Sequence, residues 1–194
     1  MAHRSTFRTL RNKDYTRMPW KNGGGETVEI AVFPEGAALA DFDWRVSMAT
    51  VASDGPFSIF PGIDRTLSIL DGEGMTLFIE DREPILLTDK SAPLPFPADA
   101  ATSATLVGGP ITDLNIMTRR GILSHDVERV TVDDTFEIAV QGQTTLVLCA
   151  SGALGLEVAD ESAALGERDC LILGTEKGKL TLSGKGLCYI IRIA

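Results

Sequence analysis

The chain is short of the residues that build metal centres and disulfide frameworks, with 2 His and 3 Cys among 194 residues. The cysteines form no C-x-x-C and their number is odd, which excludes a zinc-ribbon spacing and a closed disulfide set. Cys149, Cys170 and Cys188 each lie in an apolar, strand-like run, the setting of buried and reduced thiols. Positive charge is also scarce: 18 Lys and Arg face 27 Asp and Glu, a formal net charge of -9. Such a field repels phosphate backbones, so nucleic acid is excluded as the expected partner. No apolar run approaches the roughly 20 residues of a spanning helix, and residues 1–10 are basic and polar with no apolar stretch behind them. The expectation is no membrane association and a cytoplasmic protein.

Helical periodicity is nearly absent as well. In its place, short runs rich in Val, Ile, Leu, Thr and Phe recur between Gly, Pro, Asp and Ser clusters, which predicts an all-β fold. Strands are expected over 27–33, 42–51, 65–70, 75–79, 104–107 and 114–118, and again over 136–140, 145–149, 154–158, 170–173, 179–182 and 187–193. Residues 91–99 carry Pro93, Pro95 and Pro97, each lacking a ladder donor, so this stretch belongs at an edge or in a rigid loop. The two sets of strands resemble each other: 67–77 aligns with 146–156, each reading as strand, glycine turn, strand. A repeat of this kind predicts an internal duplication into two small antiparallel β-barrels of the double-stranded β-helix type. The turn Gly166-Glu167-Arg168-Asp169 after a hairpin resembles a cupin and makes the chain look like a bicupin. The expected barrels are residues 1–120 and 121–194, packed tightly through the short linker near 121–129. A homodimer through exposed sheet edges is a further expectation.

A cupin metal set takes His-x-His and Glu from one strand and another His from a second, so that imidazoles converge on one ion. His3 and His125 cannot supply it, and no metal or other cofactor is expected. Ser124-His125-Asp126 is no triad, because adjacent residues cannot converge on one another and there is no Gly-x-Ser-x-Gly elbow.

Other segments carry more chemistry. Gly23-Gly24-Gly25 leads into a strand without a Gly-Lys-Ser/Thr, which argues against a nucleotide loop and for a tight turn. Trp20, Lys21 and Asn22 just before it bring an aromatic face, a cation and an amide together, as a ligand-contacting loop would. In 42–49, Phe42, Trp44, Val46 and Met48 alternate with Arg45 and Ser47. Inside a barrel Arg45 would need an anion, either Asp64 or a ligand. Residues 55–65, with Ser58, Phe60, Asp64 and Arg65, read as a loop at a barrel mouth, and Asn115 and Arg119 share a face of the strand near 113–120.

These residues carry a resemblance. Met18-Pro19-Trp20-Lys21-Asn22-Gly23-Gly24-Gly25-Glu26-Thr27, Phe42-Asp43-Trp44-Arg45-Val46-Ser47, the run Gly55 through Arg65 and Asp113-Leu114-Asn115-Ile116-Met117, in that order, resemble the HutD/Ves family. The resemblance implies a metal-poor bicupin, often encoded with histidine-utilisation enzymes, that binds N-formylglutamate as a sensor or governor of that pathway. It also marks Trp20, Lys21, Asn22, Gly23, Trp44, Arg45, Ser47, Ser58, Phe60, Asp64, Arg65 and Asn115 as ligand-binding candidates, with no catalytic residue.

Two functional classes follow. One is a non-catalytic pocket in which Lys21, Arg45 or Arg65 takes the carboxylate of a small ligand and Trp20 or Trp44 packs its carbon skeleton. The other is a metal-independent cupin enzyme, an isomerase or hydrolase, with Asp64 or Glu26 as general base. A carboxylate among several cations has a lowered pKa and makes a poor base, which favours binding.

Overall fold

A computed structural model describes residues 7–21, 23–174 and 178–194. The candidate Asn22, and His3 and Arg4 of the basic opening segment, lie outside the described residues. Within them the chain is all-β, sixteen strands and a single 3-10 turn at Asn12–Asp14, with every strand pair antiparallel. It divides into two units, one of them Thr16–Ser124 and the other His125–Ala194 together with the residues up to Tyr15. The division falls between Ser124 and His125, and the described residues from Phe7 to Tyr15 group with the C-terminal half. The first strand, β1 (Phe7–Leu10), pairs with β15 (Cys170–Leu173), Phe7 opposite Leu173 and Leu10 opposite Cys170. Asp169 fixes this placement, accepting from the Asn12 N–H (2.9 Å) and from Arg11 Nη1 (2.7 Å).

The unit Thr16–Ser124 holds two sheets. One runs β2 (Thr16–Pro19), β3 (Gly25–Phe33), β4 (Trp44–Val51), β11 (Ile111–Arg119), β6 (Ile63–Asp71), β9 (Leu94–Pro97). The other runs β5 (Gly55–Pro56), β10 (Thr102–Leu106), β7 (Met75–Ile79), β8 (Ile85–Leu87). The proline-rich stretch supplies β9, which among the described residues pairs only with β6, at the edge of its sheet, where missing N–H donors cost nothing. Alternating apolar residues from both sheets, including Val51, Leu67 and Ile69 from the first and Met75, Leu77 and Ala104 from the second, close one core.

The other unit is built on three long strands, β12 (His125–Val140), β13 (Thr144–Val158) and β16 (Gly178–Ile193), with β1 and β15 on one side and β14 (Glu161–Leu165) paired to β13. Here the expected pairs of short strands are continuous. In β13 a bulge between Cys149 and Ser151 shifts the register by one. Side chains that face the core at odd positions before it, Val147 and Cys149, therefore give way to even positions after it, Leu154, Leu156 and Val158. Gly152 (φ +82°) permits the bend, where a Cβ would strike the Lys185 carbonyl. In the aligned segment of the first unit, Gly72 (φ +95°) and Gly74 (φ +110°) instead end β6 and start β7 in the second sheet. The hydrogen-bonded strand paths are open in all three sheets; none closes into a barrel among the described residues. His125, read as part of a linker, opens β12 opposite Ile193.

Candidate functional site

Cross-strand register in the larger sheet of Thr16–Ser124 sorts the polar residues into rows. Thr27, Ala49, Asp113 and Ile69 are opposite one another across β3, β4, β11 and β6; the next row is Glu29, Ser47, Asn115 and Leu67. A third row reads Val32, Arg45, Met117, Arg65 and Phe96. Partners in a ladder point to one face. That face therefore carries two arginines, an aspartate, an asparagine and a serine beside the apolar core of the unit, and all five are buried.

Over this face opens a cavity of about 840 Å³. Arg45, Ser47 and Ala49 of β4, Arg65 of β6 and Asp113, Asn115 and Met117 of β11 form its floor. Its walls come from Trp20 and Lys21 after β2 and from Phe57, Ser58 and Phe60 of the loop after β5, with Leu39 at the rim. Gly25 sets the position of the indole, since a Cβ there would meet the Thr50 carbonyl and lie 3.0 Å from the Trp20 ring. Trp20 Nε1 donates to Thr27 Oγ1 (2.8 Å), which holds the ring against the sheet.

The two arginines differ in what they face. Arg45 Nε donates to Glu29 Oε2 at 2.7 Å, a charge-assisted bond that satisfies the guanidinium locally. Arg65 is as deeply buried, at 5% exposure, yet among the described residues its side chain donates only to the Met117 sulfur (3.7 Å) and its Nε has no partner. Phe57, Phe60 and Phe96 surround it with their ring centroids 5.3–5.8 Å from Cζ. Cation–π contact offsets part of the desolvation and orients the group, but it leaves the in-plane Nε–H unused. Burial lowers the Arg65 pKa to about 10; Asp113 opposes this and Arg45 adds to it. It is a full cation at neutral pH.

Asp113 is the acid of the site, at 1% exposure. Burial pushes its carboxyl up to about 7, against the pull of Arg65, the Asn115 amide, whose Nδ2 donates to Oδ1 at 2.6 Å, and the Ala49 backbone. Neither Asp113 nor Arg65 has an ion-pair partner within 4 Å among the described residues.

Of the twelve candidates, Trp20, Lys21, Arg45, Ser47, Ser58, Phe60, Arg65 and Asn115 line the cavity together, and Asn22 is outside the described residues. The remaining three lie elsewhere. Trp44 is buried on the opposite face of β4, stacked on Phe33 with ring centroids 6.1 Å apart. Asp64 precedes Arg65 by one residue and so points away from it, accepting from Arg120 Nε at 2.8 Å. Gly23 (φ +71°) is a turn residue whose N–H donates to the Trp20 carbonyl. Glu26, the other carboxylate considered as a base, pairs with Arg17 at 3.1 Å. Arg119 donates to the Ala40 and Phe42 carbonyls and anchors the loop that carries Leu39. Asp113 and Met117 also line the cavity; they stand in a motif that carries the family resemblance but are not among the twelve candidates. A signal was available for the first, since an aspartate two residues before Asn115 in an apolar strand shares its face. Among the described residues no group of three or more His, Cys, Asp and Glu side chains is placed to hold a metal ion.

Comparison with known proteins gives a consistent picture. A family model described as HutD matches residues 12–190. The chain is 34% identical over 192 residues to an "uncharacterized 21.2 kDa protein in hutC 3'region" of Pseudomonas putida, covering 97% of this chain and 98% of that protein. It is 37% identical over 162 residues to protein Ves of Citrobacter koseri, covering 77% and 80%. Among solved structures, HutD from Pseudomonas fluorescens SBW25, determined in a formate condition, shares 32% identity and a TM-score of 0.80 over 97% of this chain and 98% of that one. A wider likeness, to protein Ylba of E. coli at 11% identity and a TM-score of 0.72 over 98% and 91%, shows the fold alone, a cupin-like one.

Proposed function

We propose that this chain, which belongs to the HutD family, is a non-catalytic binder of a small carboxylate, N-formylglutamate foremost, and serves as a sensor or regulator in histidine utilisation. The observation that carries this reading is Arg65: a buried cation with an unpartnered N–H, lining a cavity of about 840 Å³. A buried guanidinium without an anion is costly, and a planar carboxylate supplies the missing acceptors two at a time. The volume lies within the range of small-molecule sites. N-formylglutamate has two carboxylates, a formamide and a short aliphatic chain. Arg65 and Lys21 answer the carboxylates, Asn115 and Ser47 the formamide, and Trp20 and Phe57 the aliphatic chain. The hut-associated names of the relatives support the pathway. On the same reading the two units are duplicated cupin halves, one with its strands split between two sheets and one with them bent.

The experiment is titration calorimetry of the protein with N-formylglutamate, glutamate, urocanate and formate. N-formylglutamate is expected to bind, and Arg65→Ala to weaken it roughly ten- to a hundredfold, the loss of one charge-assisted contact. No heat and no thermal shift with any of the four at millimolar concentration refutes the reading. The runner-up, a metal-independent isomerase or hydrolase, draws on one observation, a cavity acid whose pKa burial has raised to about 7. Turnover of one of the four compounds that Asp113→Asn abolishes would favour it.

A further inference from the structure

Resting on the carboxylate-binding reading, we propose that the cavity takes up one proton from solvent as it takes up its carboxylate, with Asp113 as the acceptor, so that the site is a proton-coupled anion receptor. Arg65 and Asp113 are opposite charges buried on one face of one sheet, on the adjacent strands β6 and β11. They are two rows apart: Arg65 is opposite Met117, and Asp113 is opposite Ile69. The two groups therefore compensate each other through space, without contact. In the empty cavity the field of Arg65 is the largest influence favouring the Asp113 carboxylate, ahead of the Asn115 amide and the Ala49 backbone.

A ligand carboxylate seated on Arg65 cancels that field. It also adds a second anion near Asp113 and displaces water from around it. All three changes disfavour the ionised acid. The other charged groups around the cavity do not offset them. Arg45, on β4, is engaged by Glu29 of β3. Lys21 is exposed at the mouth, and Asp54, ahead of β5, accepts from the Leu106 N–H. The neutral neighbours Ala49 and Ile69, opposite Asp113 on β4 and β6, bring no charge. Asn115 suits both states: its Nδ2 donates to Oδ1, an oxygen that can accept whether or not the carboxyl carries a proton. Neutralised in this way, Asp113 turns from a repelling anion into a hydrogen-bond donor facing an anionic ligand. The empty-state carboxyl titrates near 7, so the coupling operates from neutral pH upward.

The test is titration calorimetry of the full chain with N-formylglutamate between pH 6 and 8.5, repeated at pH 8 in buffers of differing ionisation enthalpy. The expected result is uptake of up to one proton per ligand at pH 8. With it, Kd should rise by up to tenfold per pH unit above neutrality and flatten below pH 6.5. The ligand's carboxylates titrate near 4 and stay ionised throughout. Asp113→Asn, neutral at every pH, should lose both the proton uptake and the pH slope. Binding by the wild type with no proton uptake and a flat Kd overturns the proposal while leaving the carboxylate reading intact. Persistence of the slope in a folded Asp113→Asn overturns it too, and absence of binding at every pH removes both.

Discussion

Arg45 and Arg65 are cross-strand neighbours of the same residue, Met117, one on each side of it, so two guanidinium groups are buried in one row of a sheet. The sulfur between them keeps the row apolar without adding a charge. Glu29 engages the first arginine, and the second has no carboxylate within ion-pair distance among the described residues. This asymmetry separates a structural cation from a receptive one.

It predicts opposite stability effects. Arg65→Met replaces a buried charge that no anion contacts, set among Phe57, Phe60 and Phe96, by an apolar chain of similar length, and is expected to stabilise the empty protein by on the order of 1 kcal/mol while weakening carboxylate binding roughly ten- to a hundredfold. Arg45→Met strands the Glu29 carboxylate and is expected to destabilise it by about 2 kcal/mol. Urea denaturation of the two variants beside the wild type checks both signs.

Asp113 makes stability depend on pH in a direction unusual for a carboxylate. Its folded pKa lies near 7, above the value of 3.8 for the free side chain. Between those values the folded state holds a proton that the unfolded state has released, so this contribution is full below about pH 4 and is lost as pH rises through 7. Relative to Asp113→Asn, the wild type should therefore lose stability from pH 4 to 7 and run parallel to the variant above that. Melting temperatures of the pair across this range decide it.

The glycine run divides by mechanism. Gly25→Ala drives a methyl into the Thr50 carbonyl and the Trp20 ring, and should both lower the melting temperature and weaken carboxylate binding. Gly23→Ala meets no atom within 4 Å and bears only the cost of its φ of +71°, about 1 kcal/mol, with smaller effects on both readouts. Thermal shift with and without N-formylglutamate distinguishes them.

In the unit of β1 and β15, Asp169 gathers Arg11 Nη1 and the N–H groups of Asn12 and Gly166. Burial raises its pKa, but those donors outweigh burial and leave it below the usual carboxylate range. The stability it adds is present above pH 4 and is lost as pH falls through the depressed folded pKa. Asp169→Ala should cost about 2 kcal/mol at pH 7, and the cost should shrink progressively as pH falls below 4, by denaturant titration.

Much of this site could be read from alternation alone. Arg45 and Ser47 separate from Phe42, Trp44, Val46 and Met48 in the sequence, and the structure buries the first two residues over the cavity. The same alternation places Trp44 on the far face, as it does Asp64 relative to Arg65, although the family motifs include all three. A motif records which residues recur; strand parity decides which way they face. The N-terminal pairing was illegible because β1 has four residues, too few for a period, and its partner lies more than 150 residues away. The long strands were misread as pairs because their glycines look like turns, and only a register shift tells a bulge from a break.

The central claim is that Arg65 anchors a small carboxylate, and the most direct measurement is a crystal structure of the protein with N-formylglutamate. A ligand carboxylate is expected within about 3 Å of the Arg65 guanidinium, its chain against Trp20 and Phe57. A ligand bound elsewhere, or seated in this cavity with Arg65 still unpaired, would contradict it.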